Sequence, residues 1–134
     1  MSKDHHSNLV WKVILLTAVL GIVLSGCDSQ SAKVPHLRVM NNGSVPINNL
    51  VVLLPEERIE FGDIPAGTTT EYKDVPNGVF SYAAYQFEVD GGVITQPVID
   101  WVGESPMNGT LFTYIIDFDP YGARIQLIEV KNDD

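Results

Sequence analysis

The chain has 134 residues, with 17 acidic residues against 8 basic ones, a net charge of −9 and a single cysteine. This acidic balance repels nucleic acid phosphates and anionic lipids, so it disfavours nucleic acid binding and polybasic membrane binding. One cysteine excludes a disulfide within the chain, and the length suits one domain built on a hydrophobic core.

The first element is an apolar run near the N-terminus. Lys3 and Lys12 precede the uncharged stretch Val13–Leu24, and the small residues Ser25 and Gly26 follow it. Spanning a bilayer takes about 20 apolar residues, and this run is shorter. The layout therefore predicts a signal peptide with helical character rather than a transmembrane anchor. A plain secretory signal would also suit the small residues, and the cysteine after them decides between the two.

The motif Leu24-Ser25-Gly26-Cys27 resembles the lipobox of bacterial lipoproteins, which carry a type II signal peptide. The resemblance implies that residues 1–26 are cleaved and that Cys27 becomes an acylated N-terminus carrying diacylglycerol. It implies an anchor on the extracytoplasmic side of the cell membrane and no other cofactor. Asp28 resembles the inner-membrane retention signal of some enteric lipoproteins, but this rule varies among bacteria, so inner and outer membrane both stay open.

Residues 27–35 are predicted to form the lipidated cysteine and a flexible tether. The stretch after Cys27 is polar, rich in small residues and without periodicity. Its eight residues reach at most about 28 Å when extended, so the folded domain is expected to sit close to the membrane.

Residues 36–134 are predicted to form an all-β domain, an antiparallel β-sandwich (Ig-like or transthyretin-like) of about seven to eight strands. Short segments rich in Val, Ile, Thr, Tyr and Phe alternate with Gly, Pro and Asn turn signals, which is typical of sandwiches. The predicted strands cover 36–41, 47–54, 58–61, 68–73, 79–90, 93–98, 111–118 and 124–130.

The stretch from Phe61 to Tyr85 contains two Pro-x-Gly turns, Pro65-Ala66-Gly67 and Pro76-Asn77-Gly78. This pattern of paired turns between short strands resembles that of small extracytoplasmic β-sandwich domains of bacterial envelope proteins. The resemblance implies a sandwich and carries no catalytic residue across. Further along, Asp90-Gly91-Gly92 predicts a tight hairpin with a glycine at positive φ.

The segment before that hairpin leaves two registers open. Residues 85–89 alternate apolar and polar, so their apolar side chains are predicted to face the core. Continued alternation sends Phe80 and Tyr82 outward, where Trp101 could join them in an exposed aromatic binding surface. A β-bulge at 83–84 would instead bury Phe80 and Tyr82.

Motifs for metal or nucleophilic chemistry are sparse. Asp117 and Asp119 precede a glycine turn, as in part of a calcium loop, but the further ligands are missing and turn chemistry explains Asp119-Pro120. These two residues are weak calcium candidates, and no metal site is predicted. His36 is the only histidine after the leader, and no serine lies in a nucleophile-elbow motif, so the expected site has no catalytic triad.

Two functions follow from these patterns. The first is a lipid-anchored, extracytoplasmic module without catalytic activity, which binds an envelope protein or glycan through one sheet face or its loops. The alternative is a lipid-anchored hydrolase that uses a carboxylate pair. The acids available for such a pair are Asp63, Asp100, Glu104 and Asp117.

Overall fold

The computed structural model describes residues 32–98 and 100–134, of which Lys33–Asp134 belong to one compact unit. The predicted signal peptide, its helix and Cys27 lie outside the described residues. Within the described ranges the chain is all-β, and no helix there could span a membrane.

The fold is a β-sandwich of two four-stranded sheets, as the sequence predicts. One sheet has the order β4-β1-β7-β8 and the other has the order β3-β2-β5-β6. The strands are β1 His36–Asn41, β2 Ile47–Leu54, β3 Glu57–Ile64, β4 Lys73–Asp74, β5 Ala84–Val89, β6 Gly92–Gln96, β7 Leu111–Asp119 and β8 Arg124–Asn132.

The paired strands are antiparallel except for β1 and β7, which run parallel with His36 opposite Leu111. The sandwich is therefore antiparallel, as predicted, apart from this one pair. Both strands start at the same end of the sandwich, and β7 returns to the first sheet between β1 and β8. We call the end where β1 begins the proximal end and the opposite end, with the 90–91 turn, the distal end.

The predicted strand 68–73 is mostly not a strand, because only Lys73 and Asp74 pair as β4. The preceding residues run beside β1, where Thr69 forms an isolated bridge to Met40. The Thr70 hydroxyl oxygen accepts the Val39 N–H at 3.0 Å. A side-chain oxygen thus accepts an N–H hydrogen bond that a backbone carbonyl would accept in a regular β-ladder.

The predicted strand 79–90 was placed too early, because β5 begins at Ala84. Residues 79–83 cross the proximal end, and their backbone groups bond elsewhere. The Val79 carbonyl accepts the Met107 N–H at 2.7 Å, and the Phe80 carbonyl accepts the Tyr114 hydroxyl at 2.6 Å. Pairing with β2 is therefore confined to the later residues.

The core fills the space between the sheets with the inward-facing side chains of every long strand. The apolar alternation predicted for 85–89 and for β7 is confirmed, since Tyr85, Phe87 and the even-numbered residues 112–118 of β7 are buried. Leu50, Val51, Val52 and Leu54 are all buried, which agrees with the unbroken apolar pattern of β2.

The turn between β5 and β6 confirms the predicted hairpin. Val89 pairs with Gly92, and the two residues between them have positive φ, 50° at Asp90 and 78° at Gly91. Two central residues with positive φ characterise the turn whose twist suits a two-residue hairpin, and Asp-Gly is a favoured pair for it.

Side chains connect the edge strands of the two sheets on both sides of the sandwich. On one side, the Gln96 amide of β6 donates to the Ile125 carbonyl of β8 and accepts the Ile125 N–H, both at 2.8 Å. On the other side, the Lys73 ammonium of β4 lies 5.7 Å from the ring centroid of Phe61 in β3.

Candidate functional site

The three aromatic residues proposed as a binding surface meet at the proximal end. The Trp101 ring stacks on Tyr82 with centroids 4.9 Å apart and an interplanar angle of 12°. The same ring meets Phe80 edge-on at 5.5 Å and 72°. The structure therefore brings the three residues together, and Phe80 and Tyr82 lie in the loop before β5 rather than on a strand.

The outward placement of Phe80 is wrong. Phe80 is only 7% exposed, and it lines a small pocket of about 220 Å³ at the proximal end. The proposed bulge at 83–84 is not the reason, because β5 simply starts at Ala84. Tyr82 and Trp101 are half-buried, so they cover the core at this end and present part of their surface to solvent.

The Tyr82 hydroxyl contacts the loop that carries Trp101. It donates to the Asp100 carbonyl at 2.8 Å. Burial raises the pKa of Tyr82, and the negative charges of Glu104 and Asp100 raise that pKa further. The phenol therefore stays neutral and tethers the loop, which is a structural use of its hydroxyl.

A larger concavity lies on the outer face of the β3-β2-β5-β6 sheet. It encloses about 510 Å³, and we call it the sheet groove. Its size falls within the range of ligand-binding clefts in proteins. The lining residues come from all four strands: Asn49, Val51, Arg58, Glu60, Gly62, Gln86, Phe87, Glu88 and Val93.

Irregular backbone lies at one side of the groove. The pairing of β2 and β3 shifts register on both sides of Leu50, and Asn49 and Gly62 have positive φ, 49° and 73°. The Asn49 N–H donates to the Asp63 carboxylate at 2.9 Å, which fixes this conformation. Bulges bend a strand and redirect its side chains, and they are common beside binding sites.

The polar side chains of the groove form few hydrogen bonds with the described part of the protein. The Arg58 guanidinium and the Glu60 carboxylate are 3.6 Å apart. Among the described residues, the side chains of Asn49, Gln86 and Glu88 form no hydrogen bond with the protein. The groove therefore offers amide and carboxylate groups to a ligand from solvent.

Sequence reasoning missed this groove. Alternation on β3 and β5 does identify Arg58, Glu60, Gln86 and Glu88 as outward-facing residues. Alternation alone cannot show that the face is concave, because the concavity depends on register shifts in β2 and β3. The isolated glycine Gly62 in a strand was the available signal for a bulge.

Of the four acids considered for a hydrolytic pair, only Asp100 and Glu104 share one part of the domain. Asp63 lies on β3, Asp117 lies on β7, and Asp100 and Glu104 lie in the loop beside Tyr82. None of the four lines the sheet groove or the proximal pocket.

The residues considered for metal or triad chemistry have structural contacts. The Asp119 carboxylate accepts the Tyr121 N–H at 3.0 Å, as in a capped turn, and Asp117 lies near Gly43. The described residues contain no group of three or more His, Cys, Asp and Glu side chains that could hold a metal. His36 Nδ1 lies 2.8 Å from the Asp74 carboxylate at the start of β1.

The fold and the groove together define a small β-sandwich with one open, polar sheet face. No protein-family model, no curated protein and no solved structure matches the chain. Its function is therefore inferred from its residues and geometry.

Proposed function

We propose that the protein is a bacterial lipoprotein whose β-sandwich is a binding module on the extracytoplasmic side of the membrane. The observation that carries the binding role is the sheet groove, an open concavity of about 510 Å³ in which the Asn49, Gln86 and Glu88 side chains form no hydrogen bond with the described part of the chain. The anchor rests on the motif Leu24-Ser25-Gly26-Cys27.

The boundary of the sandwich supports a short tether after Cys27. The first strand begins at His36, and the Pro35 carbonyl already accepts the Val75 N–H at 2.8 Å. The residues left for the tether, 28–34, reach at most about 25 Å when extended. Acylation by more than one chain supplies enough buried methylene groups for a stable anchor.

The position of the groove suits a tethered binding module. The tether joins the sandwich at the proximal end, where β1 starts. Three lining residues, Asn49, Glu88 and Val93, lie near the distal end of their strands. The groove therefore extends to the end of the sandwich opposite the attachment point, while Arg58 lines it near the proximal end.

Processing of the N-terminus tests the anchor. Mass spectrometry of the mature chain is expected to find Cys27 as an acylated first residue. The Cys27→Ser variant is expected to leave the membrane fraction, whereas Ser29→Ala is expected to stay in it. A mature chain that begins elsewhere, or an unmodified Cys27, contradicts the anchor.

Photo-crosslinking in native membranes tests the binding role. A photoreactive residue replaces either Val93, which is 61% exposed at the groove, or Ile128, which is 55% exposed on β8. Adducts are expected from position 93 and not from position 128. Equal labelling from both positions contradicts a role for the groove.

A further inference from the structure

We propose that the sheet groove is a binding site for a neutral carbohydrate. This inference rests on the proposed function, because it names the class of ligand that the binding module takes. Three properties of the groove carry it: its hydrogen-bonding groups, its apolar residues and its charge.

The hydrogen-bonding groups match a ligand with many hydroxyls. The Asn49 and Gln86 amides each offer donors and an acceptor, and the Glu88 carboxylate offers acceptors. A hydroxyl both donates and accepts, so it can bond to any of these groups. Because the three side chains form no hydrogen bond with other described residues, binding need not break protein contacts.

Apolar residues lie between these polar groups. Val93 is 61% exposed and supplies most of the apolar surface, Val51 forms the floor of the groove with only 7% exposure, and Gly62 has no side chain to obstruct it. A sugar ring has a C–H face as well as hydroxyls, so it can pack its C–H groups on these residues. Contacts with apolar surface combined with a few directed polar groups are the usual composition of a ligand site.

The charge of the groove argues against a charged partner. The Arg58 guanidinium lies 3.6 Å from the Glu60 carboxylate, which leaves Glu88 as the remaining charge among the lining residues. The chain as a whole carries a net charge of −9. A polyanion is repelled by the chain, and a polycation finds only one unpaired carboxylate in the groove. A neutral ligand fits this balance.

The backbone at Asn49 provides a variant that removes a side chain without strain. Asn49 has φ 49°, a conformation that glycine adopts readily and alanine does not. Asn49→Gly therefore deletes the amide and keeps the bulge. Gln86→Ala deletes the second amide on β5, and Gln126→Ala on the outer face of β8 is the matched control.

The test uses the full-length chain in a zwitterionic detergent that contains no sugar, because glycoside detergents would compete for the site. The probes are chitohexaose and maltohexaose, with decalysine as the contrasting basic peptide. Binding is followed by calorimetry and by NMR of the Asn49 and Gln86 side-chain amides. At least one oligosaccharide is expected to bind saturably and shift both amide signals.

The variants locate the site. The double variant Asn49→Gly/Gln86→Ala is expected to weaken oligosaccharide binding by about ten-fold or more, since two hydrogen-bonding groups are lost. Gln126→Ala is expected to leave the affinity unchanged, and the thermal stability of all variants is measured to exclude unfolding.

Three outcomes overturn the proposal. They are the absence of binding by either oligosaccharide, oligosaccharide binding that the double variant does not weaken, and groove signals that respond to decalysine alone. Each leaves the acylation of Cys27 and the crosslinking from position 93 to be judged separately. Failure of the carbohydrate site is thus distinguishable from failure of the proposed function.

Discussion

Two tyrosines of the core differ in whether their hydroxyl groups form a hydrogen bond. The Tyr114 hydroxyl donates to the Phe80 carbonyl at 2.6 Å, whereas the buried Tyr85 hydroxyl has no partner among the described residues. Burial raises the pKa of both phenols, and the neighbouring Tyr85 raises that of Tyr114 further. Both hydroxyls are therefore neutral, and only one contributes a bond.

Replacing each tyrosine by phenylalanine is expected to shift stability in opposite directions. Tyr85→Phe removes an unsatisfied polar group and is expected to raise the free energy of unfolding by roughly 1 kcal/mol. Tyr114→Phe leaves the Phe80 carbonyl without its donor and is expected to lower it by about 1–3 kcal/mol. Urea unfolding at neutral pH measures both changes, and changes of the same sign contradict the assignment.

The aromatic cluster at the proximal end contains one core residue, Phe80, and one residue that covers the core, Tyr82. Phe80→Ala is expected to lower the free energy of unfolding by about 3–5 kcal/mol, because Phe80 is 7% exposed. Tyr82→Ser removes the stacking contact with Trp101 and the hydrogen bond to the Asp100 carbonyl, and it is expected to cost about 1–2 kcal/mol. Urea unfolding of the two variants tests this order, and an equal or larger cost at Tyr82 overturns it.

The strands differ in how well the sequence predicts them. β1 and β2 have their predicted bounds, because Asn-rich and Pro-containing turn signals limit them. The start of β5 was missed because residues 79–83 have the composition of a strand but bond to Met107 and Tyr114 instead. Local composition shows which segments can form strands, and only the tertiary structure shows where their hydrogen bonds go.

The hairpin between β5 and β6 allows a prediction about its two glycines. Replacing both by valine is expected to destabilise the domain, with nearly all of the loss arising at Gly91. Gly91 has φ 78°, which costs a residue with a side chain about 1–2 kcal/mol. Gly92 pairs with Val89 in extended backbone and has room for a side chain.

Thermal unfolding of Gly91→Val, Gly92→Val and the double variant measures this division. The double variant is expected to resemble Gly91→Val. A loss that comes mainly from Gly92→Val would contradict the turn geometry.

On the β4-β1-β7-β8 sheet, Asp133 connects three parts of the chain. Its carboxylate accepts hydrogen bonds from the hydroxyls of Tyr72 and Thr113, and Arg38 Nη2 lies 3.8 Å away. Burial acts to raise the pKa of Asp133, but the hydrogen bonds and the charges of Arg38 and Lys131 outweigh it and lower the pKa. The ionised carboxylate is therefore the form that the fold stabilises.

The pKa of Asp133 predicts a loss of stability in acid. Its pKa is lower in the folded chain than in the unfolded one, so its contribution is present above the unfolded value and is lost as pH falls through the folded value. Asp133→Asn is expected to lower the free energy of unfolding by about 1 kcal/mol at pH 7. This difference is expected to vanish at a pH below the folded pKa.

Urea unfolding at a series of pH values from 7 to about 2 measures the effect. Glu129→Gln on the exposed face of β8 is the control and is expected to change little at any pH. A cost of Asp133→Asn that stays constant over this series contradicts the linkage.

The sequence predicted the class of fold but not the shape of the sheet groove. Turn signals and alternation define eight segments, and segments of that kind pack as a sandwich. The parallel β1–β7 pair depends on contacts between residues far apart in the chain, and the groove forms only when β5 pairs beside the irregular β2–β3 hairpin. No local pattern near His36 or Asn49 encodes those distant partners.

The hydrogen bonds of the Gln96 side chain to Ile125 affect whether two copies of the protein can pair through their edge strands. An edge strand presents unpaired N–H and C=O groups that can recruit another chain, and lipid anchoring as proposed would confine many copies to one surface. Gln96 occupies both backbone groups of Ile125 on the outer edge of β8. The amide thus takes the place of a neighbouring strand at that position, so Ile125 has no free backbone group with which to pair a second copy.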